Sequence, residues 1–281
     1  SAASDVYKRQ MLGLTEDDRT LDYRSFGWNS AQVLSLMPWL QTGLTLHIAN
    51  RFSHSRFFEW IQNHEITFAA GVPTVVNMLL NEPLGIKATD IPSLRLMTCS
   101  TAPLSPDQWE KFERMYGVTL LQLYGMSEAG WICGNRHYRR RVGTVGPPAK
   151  HQELRIVDGA GTQCAVGVEG EVTVGGPQTC LGIIPPDGEF ENLSETRIST
   201  GDLAVMDDDG FVTVTGRTKD LIIRGGVNIA PLEIDNVLLS DPRVLEAAAI
   251  GVPDDIYGED IVCYVVAVSY THLTLPTILL V

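Results

Sequence analysis

Gly216-Arg217-Thr218-Lys219-Asp220-Leu221-Ile222-Ile223-Arg224-Gly225-Gly226-Val227-Asn228-Ile229-Ala230-Pro231-Leu232-Glu233-Ile234-Asp235 is the stretch on which the fold assignment turns. Charges at Arg217, Lys219 and Asp220 precede a short apolar run, a Gly-Gly pair and a helix start. Leu221 to Arg224 reads as a short strand, preceded by another over Phe211 to Thr215. Gly225-Gly226 permits positive φ and close approach of the backbone to a ligand. Pro231 suits a first helical position, and Glu233 favours the positive end of the helix dipole. Ile234, Val237 and Leu238 recur at i, i+3, i+4, which predicts one apolar face, and the helix is expected to stop near Asp241-Pro242. The residue types alone also fit an ordinary strand-turn-strand-helix connection.

Upstream, from about Leu12 to Leu123, helical and extended patterns alternate. Helices are expected over Ala31 to Gln41, from an N-cap at Ser53 through Phe57, Phe58 and Trp60-Ile61, and from Pro73 to Leu80. Another follows Ser105-Pro106, where Trp109, Phe112 and Tyr116 share a face. Strands are expected over Leu44 to Ala49, Ile66 to Ala70, Leu94 to Cys99 and Val118 to Leu123. This alternation implies a parallel sheet covered by helices, with ligands beyond the carboxyl ends of its strands.

Two loops fall at those ends, Ser100-Thr101-Ala102-Pro103-Leu104-Ser105 and Tyr124-Gly125-Met126-Ser127-Glu128-Ala129-Gly130. The second is expected as a tight turn between strand and helix. An aromatic face, a glycine, a hydroxyl and a carboxylate within five residues can stack a base, admit and bond a phosphate, and hold Mg2+.

From Gly143 to Thr215 the texture changes to short strands, over Leu154 to Val157, Gly170 to Val174, Leu203 to Met206 and Phe211 to Thr215. Turn signals stand at Asp158-Gly159, Asp187-Gly188 and Asp209-Gly210, so a small, largely antiparallel β region is expected. Val244 to Ile250 and Ile261 to Val268 supply further strands. The fold class is α/β: a parallel-sheet/helix N-terminal subdomain plus a small β region, followed by part of a smaller α+β C-terminal domain.

These segments, in this order, resemble the motifs of the adenylate-forming superfamily of acyl-CoA synthetases, luciferases and adenylation domains of non-ribosomal peptide synthetases. The resemblance covers roughly Leu12 to Val268. It implies a large domain over residues 11–216, and a hinge with a truncated small domain over 217–268. It implies ATP/AMP, Mg2+ and CoA as cofactors, and a small-molecule carboxylic acid, ATP and CoA as partners. Ser100, Thr101, Ala102 and Pro103 would form the adenine-side loop. In the Tyr124-Gly125-Met126-Ser127-Glu128 motif, Tyr124 would stack on adenine, Ser127 would replace the usual threonine on the α-phosphate, and Glu128 would hold Mg2+.

Thr200-Gly201-Asp202 resembles the ribose-binding motif, and a carboxylate accepting two hydroxyl hydrogen bonds is a sound way to hold a ribose. Arg217 would touch the ribose, Lys219 would be the hinge, and Gly225-Gly226 would line the pantetheine tunnel. Trp28, within Phe26 to Ser30, would lie beside the carboxylate substrate, with Val72, Met97 and Met126 in the acyl pocket. From composition alone, Trp28 is equally a core tryptophan at a helix start.

The family's Gly/Ser/Thr-rich phosphate loop with Pro-Lys-Gly has no counterpart, and no lysine follows Lys219 to act as the C-terminal catalytic lysine. Residues 1–10 and 269–281 resemble translated sequencing-adapter sequence and are set aside from the fold argument. The expectation is a fragment of an AMP-forming acyl-CoA synthetase, itself catalytically impaired. A non-catalytic nucleotide-binding remnant and a peptide-synthetase adenylation domain are the alternatives.

Composition narrows the classes further. Of 281 residues, 44% are hydrophobic and 20% charged, as in ordinary globular proteins. A net charge of -13 argues against non-specific nucleic-acid binding, and the short basic cluster Arg136 to Arg141 reads as a solvated loop. Five scattered cysteines without a C-x-x-C fit a reducing cytosol, with neither a disulfide framework nor a zinc site. No apolar run reaches the ~20 residues of a membrane span, and no signal peptide is evident, so the expected location is cytoplasmic.

Overall fold

β1 (Arg19–Asp22) lies between β2 (Thr45–Ile48) and β3 (Phe68–Ala69), followed across the sheet by β4 (Leu96–Cys99) and β5 (Thr119–Met126), all parallel. This is a computed structural model, and it describes residues 11–186, 188–193, 196–241 and 243–267. The adapter-like ends, Asp187 of one turn signal, Pro242 of the helix stop and Val268 lie outside the described residues.

β3, β4 and β5 are mostly apolar on both faces, as a helix-covered parallel sheet requires, whereas β1 buries Thr20 and Asp22 beside Leu21. Alternate residues serve two cores. Ala69, Met97 and Leu120 join Phe57, Phe58, Ile61, Trp109, Phe112 and Tyr116 on one side. Phe68, Leu96 and Leu121 join Leu12, Leu34 and Leu44 on the other. Each large side chain so buried contributes about 1.5–3 kcal/mol.

The first helical run comprises Asn29–Ala31, a π-helical segment Gln32–Leu36 and Met37–Thr42, ending at Gly43 with φ 75°. Pro38 has no N–H to donate to the preceding turn, and the wider turn precedes it. Helices His54–His64, Pro73–Asn81 and Pro106–Tyr116 stand where the apolar spacing predicts. Ser105 caps the last of these by accepting from the Gln108 amide at 3.3 Å. Ser53 occupies the N-cap position of the first but does not cap, and its hydroxyl lies 3.4 Å from that of Ser55.

Tyr124-Gly125-Met126 is not a strand-to-helix turn. β5 runs on through Met126, the chain reverses over Ser127 to Ala129, and β6 (Gly130–Gly134) pairs antiparallel with it. Gly125 permits this tight hairpin, because a Cβ there would lie 2.3 Å from the Gly130 carbonyl oxygen.

Beyond the hairpin, β7 (Glu153–Val157), β8 (Gly170–Gly175), β11 (Ile198–Met206) and β12 (Val212–Arg217) form a sheet in the order β12-β11-β8-β7. β9 (Gly182–Ile183) and β10 (Glu191–Asn192) make a short antiparallel pair. Ile156, Val172, Val174, Ala204 and Val212 close a third core with Ile132 and Cys133 of β6. The basic cluster is exposed from His137 to Arg141, as a solvated loop should be, and two of its arginines are paired. Arg141 pairs with Asp207 and Asp209 and lies 4.2 Å from the Phe211 ring centre, and Arg140 meets Glu113 at 2.6 Å.

The chain divides into two compact units between Val214 and Thr215. The second holds a sheet in the order β14-β13-β16-β15, with β13 (Ile222–Arg224), β14 (Val227–Ile229), β15 (Val244–Asp254) and β16 (Gly258–Ala267). Its helix, Pro231–Leu239, has Pro231 in its first turn and ends at Ser240. Val237 is 68% exposed rather than on a packed face. Asp235 is turned inward instead, accepting from the Ala249 amide at 2.6 Å, which rotates Val237 outward. Among the described residues no helix is long and apolar enough to cross a membrane.

Candidate functional site

The carboxyl ends of β4 and β5 open onto a cleft of about 390 Å³. Its walls are Gly27 to Ser30 and Val33 after β1, Thr101 after β4, and Gly125, Met126, Ser127, Gly130 and Trp131 of the β5–β6 hairpin. The fold thus brings Trp28, Thr101, Gly125, Met126 and Ser127 together from three segments.

The Trp28 wall is held from below. Arg24 binds Asp22 through Nε at 3.0 Å and NH2 at 2.7 Å, and the Ser35 hydroxyl donates to the same carboxylate at 2.5 Å. Arg24 NH2 also reaches the Ser30 carbonyl at 3.4 Å. Both charged side chains are almost wholly buried. This clamp fixes the loop between β1 and the helix that starts at Asn29. Trp28 itself is 59% exposed, which excludes the reading as a core tryptophan.

Thr101 has φ +79°, a left-handed conformation that β-branched residues rarely adopt. Such strain, of order 1–3 kcal/mol, tends to gather at functional sites. Ser100, just before it, is fully buried with its hydroxyl unpartnered, whereas Ala102 and Pro103 are exposed. Val72 packs half-buried against the core, and Met97 is completely buried beneath Gly71; neither lines the cleft.

Tyr124 and Asp202 meet directly, the phenol donating to Asp202 Oδ2 at 2.5 Å. Both stand at irregularities in strand pairing. The β5–β6 register shifts between Tyr124 and Gly125, and the β11–β8 register shifts between Ser199 and Leu203. Gly201, with φ +72°, sits inside the second shift, and such bulges re-aim side chains. Burial and the acceptor Asp202 push the Tyr124 hydroxyl far above its usual range, so it stays a donor.

Glu128 is half-buried, and its carbonyl accepts from the Cys180 amide at 2.6 Å. No cluster of three or more His, Cys, Asp or Glu side chains exists among the described residues. A lone carboxylate fits Mg2+, which keeps its water and binds through one or two carboxylates together with phosphate oxygens.

Arg217 and Lys219 belong to the second unit's N-terminal part and are exposed, Lys219 within the 3-10 turn Thr218–Asp220. Gly225, φ +58°, and Gly226, φ +84°, form the two-residue turn of the β13–β14 hairpin, a geometry that needs positive φ at both positions. Asn29, Ser30, Val33 and Trp131 also line the cleft and carry no motif of their own. The available signal was position, because three of them follow Trp28 closely and Trp131 follows the Tyr124 motif.

The AMP-binding enzyme family model matches residues 1–184, and the AMP-binding enzyme C-terminal domain matches residues 233–277. The chain is 35% identical over 243 residues to a sulfoacetate–CoA ligase of Cupriavidus necator, covering 85% of this chain and 47% of that protein. It is 32% identical over 276 residues to an oxalate–CoA ligase of Arabidopsis thaliana, covering 96% and 52%. The chain therefore spans about half the length of these curated relatives.

Among solved structures, ATP-bound MatB from Rhodopseudomonas palustris superposes with a TM-score of 0.86 at 28% identity, covering 95% of this chain and 53% of that one. O-succinylbenzoate coenzyme A synthetase (MenE) from Bacillus subtilis, in complex with ATP and magnesium ion, gives 0.80 at 31%, covering 94% and 55%. On the sequence match and the shared fold, the chain belongs to the AMP-binding enzyme family.

Proposed function

We propose that the chain is the nucleotide- and acid-binding part of an AMP-forming acid–thiol ligase. In that reaction a carboxylate oxygen attacks the α-phosphorus of ATP and the bond to pyrophosphate breaks, leaving an acyl-adenylate. A thiol of CoA then attacks the acyl carbon, AMP departs, and the thiol proton goes to solvent. The observation that carries the reading is the Tyr124–Asp202 hydrogen bond. Adenine and ribose are covalently joined, so an aromatic face for one and a carboxylate for the other must be neighbours.

The roles follow from chemistry. Tyr124 offers its ring to the base, Asp202 accepts ribose hydroxyls, and Ser127 donates to the α-phosphate. Glu128 would hold Mg2+, whose charge neutralises phosphate oxygens. The cleft beside Trp28 orients the acid, so that positioning and charge stabilisation supply most of the rate. The roles that the motifs suggest for Arg217, Lys219, Gly225 and Gly226 belong to the same proposal.

The 281 residues contain no lysine after Lys219. We therefore expect this chain to bind nucleotide yet form adenylate very slowly or not at all. ATP–pyrophosphate exchange measured beside AMP binding tests this. AMP binding with exchange at background supports the reading, whereas rapid exchange by the purified chain overturns the impairment.

A further inference from the structure

We propose that the cleft takes a compact aromatic carboxylic acid carrying no second charge, an inference that rests on the acid-binding role proposed above for the same site. The indole of Trp28, on the loop after β1, borders the space with Met126 and Val33 beside it, while Trp131 of β6 also lines it but is 5% exposed and packed in the core with Leu12 and Leu34. Trp28 is more than half exposed on a clamped loop, an arrangement that leaves its face open for a ring and keeps the loop that carries it in place. Flat π-systems pack favourably on such surfaces in offset or edge-on geometry.

Charge argues the same way. Among the described residues the lining holds no lysine, arginine or histidine, and its polar members, among them Asn29 and Ser30, are neutral. A second carboxylate or a sulfonate would find no cation there to offset whatever water it loses on entry. Arg24, the basic residue nearest in sequence, lies beneath the loop, bound bidentately to Asp22, and does not line the cleft. Asn29 and Ser30 can instead serve a ring hydroxyl or methoxy group.

Size sets the other bound. A volume of about 390 Å³, shared with the α-phosphate that Ser127 would meet, sits at the low end of the ~300–1,000 Å³ typical of small-molecule sites. That suits a single ring with a short side chain better than a long alkyl chain.

The test uses the purified chain and four non-hydrolysable acyl-sulfamoyl adenosines, with benzoyl, 4-hydroxycinnamoyl, malonyl and dodecanoyl groups. AMP is titrated separately as the reference. The two aryl mimics are expected to bind at least ~10-fold tighter than the malonyl and dodecanoyl mimics, a gap that one stacking contact plus ring burial can supply. The ratio of aryl-mimic to AMP affinity should fall about as far in Trp28→Ala and recover in Trp28→Phe, which keeps a ring.

A malonyl or dodecanoyl mimic that binds as tightly as the aryl ones overturns the proposal. AMP binding to which an aryl group adds nothing also overturns it, while leaving the nucleotide-site reading intact. Failure of AMP and of all four mimics to bind a folded chain removes the nucleotide-site reading and this inference with it.

Discussion

The Tyr124 phenol donates to Asp202 Oδ2 at 2.5 Å across 78 residues of sequence. Two motifs on different sheets are thereby held in one place, each presented by an irregular strand. Tyr124→Phe keeps the ring but leaves the buried Asp202 carboxylate without this donor. Hydrogen bonds to charged groups contribute about 1.5–3 kcal/mol, so urea unfolding should show a loss of that order. An unchanged midpoint would mean the contact is dispensable.

The Asp22–Arg24 pair should be costly to break from one side. Asp22→Ala leaves the buried guanidinium uncompensated, and loss of one partner of such a pair typically costs about 3–5 kcal/mol. Replacing both with Asp22→Leu and Arg24→Met should cost less than Asp22→Ala alone. Chemical denaturation of the two variants beside the wild type checks the order.

Gly125→Ala tests the hairpin. The added Cβ would meet the Gly130 carbonyl oxygen, a backbone atom that cannot rotate away. Overpacking of this kind costs about 1–3 kcal/mol. The expected result is a lower melting temperature together with weakened AMP binding, because the displaced hairpin carries Tyr124 on β5 and Ser127 in its turn.

Asp18 gives a dependence on pH with a defined sign. Burial would raise its pKa, but the Thr67 hydroxyl, the Thr15 amide and Arg95 outweigh it and hold the carboxyl below its ordinary 3.8. A depressed folded pKa means that the stabilisation is fully present above the unfolded value and is lost as pH falls through the folded one. Asp18→Asn should therefore flatten the acid limb below about pH 4. A wild-type slope retained in the variant would assign the acid sensitivity elsewhere.

Much of the fold was legible because burial writes itself into apolar spacing. Phe57, Phe58 and Ile61, and Trp109, Phe112 and Tyr116, reach the core as their intervals require. Ser105 caps its helix for the same local reason that Ser-Pro predicts a start. The β5–β6 hairpin was not legible, because Tyr124-Gly125-Met126 carries no alternation and its pairing depends on Gly130 and Trp131.

Val237 fell outside because a polar residue, Asp235, took the inward position through a backbone hydrogen bond that no periodicity records. Of the motif residues, Trp28, Thr101, Gly125, Met126 and Ser127 line the cleft, while Asn29, Ser30, Val33 and Trp131 are cleft walls only by tertiary placement. The Asp22–Arg24 clamp escaped notice because Asp22 ends β1, a strand whose Arg-Thr-Leu-Asp sequence carries no apolar run and looks like surface.

The most direct test of the nucleotide-site reading is calorimetric titration of the purified chain with a non-hydrolysable acyl-adenylate mimic, wild type against Asp202→Ala, with melting curves to confirm that both are folded. The account predicts binding by the wild type and a loss of at least about tenfold in the variant, the scale of one charge-assisted hydrogen bond. A folded wild type that does not bind, or an Asp202→Ala variant that binds equally well, would contradict it.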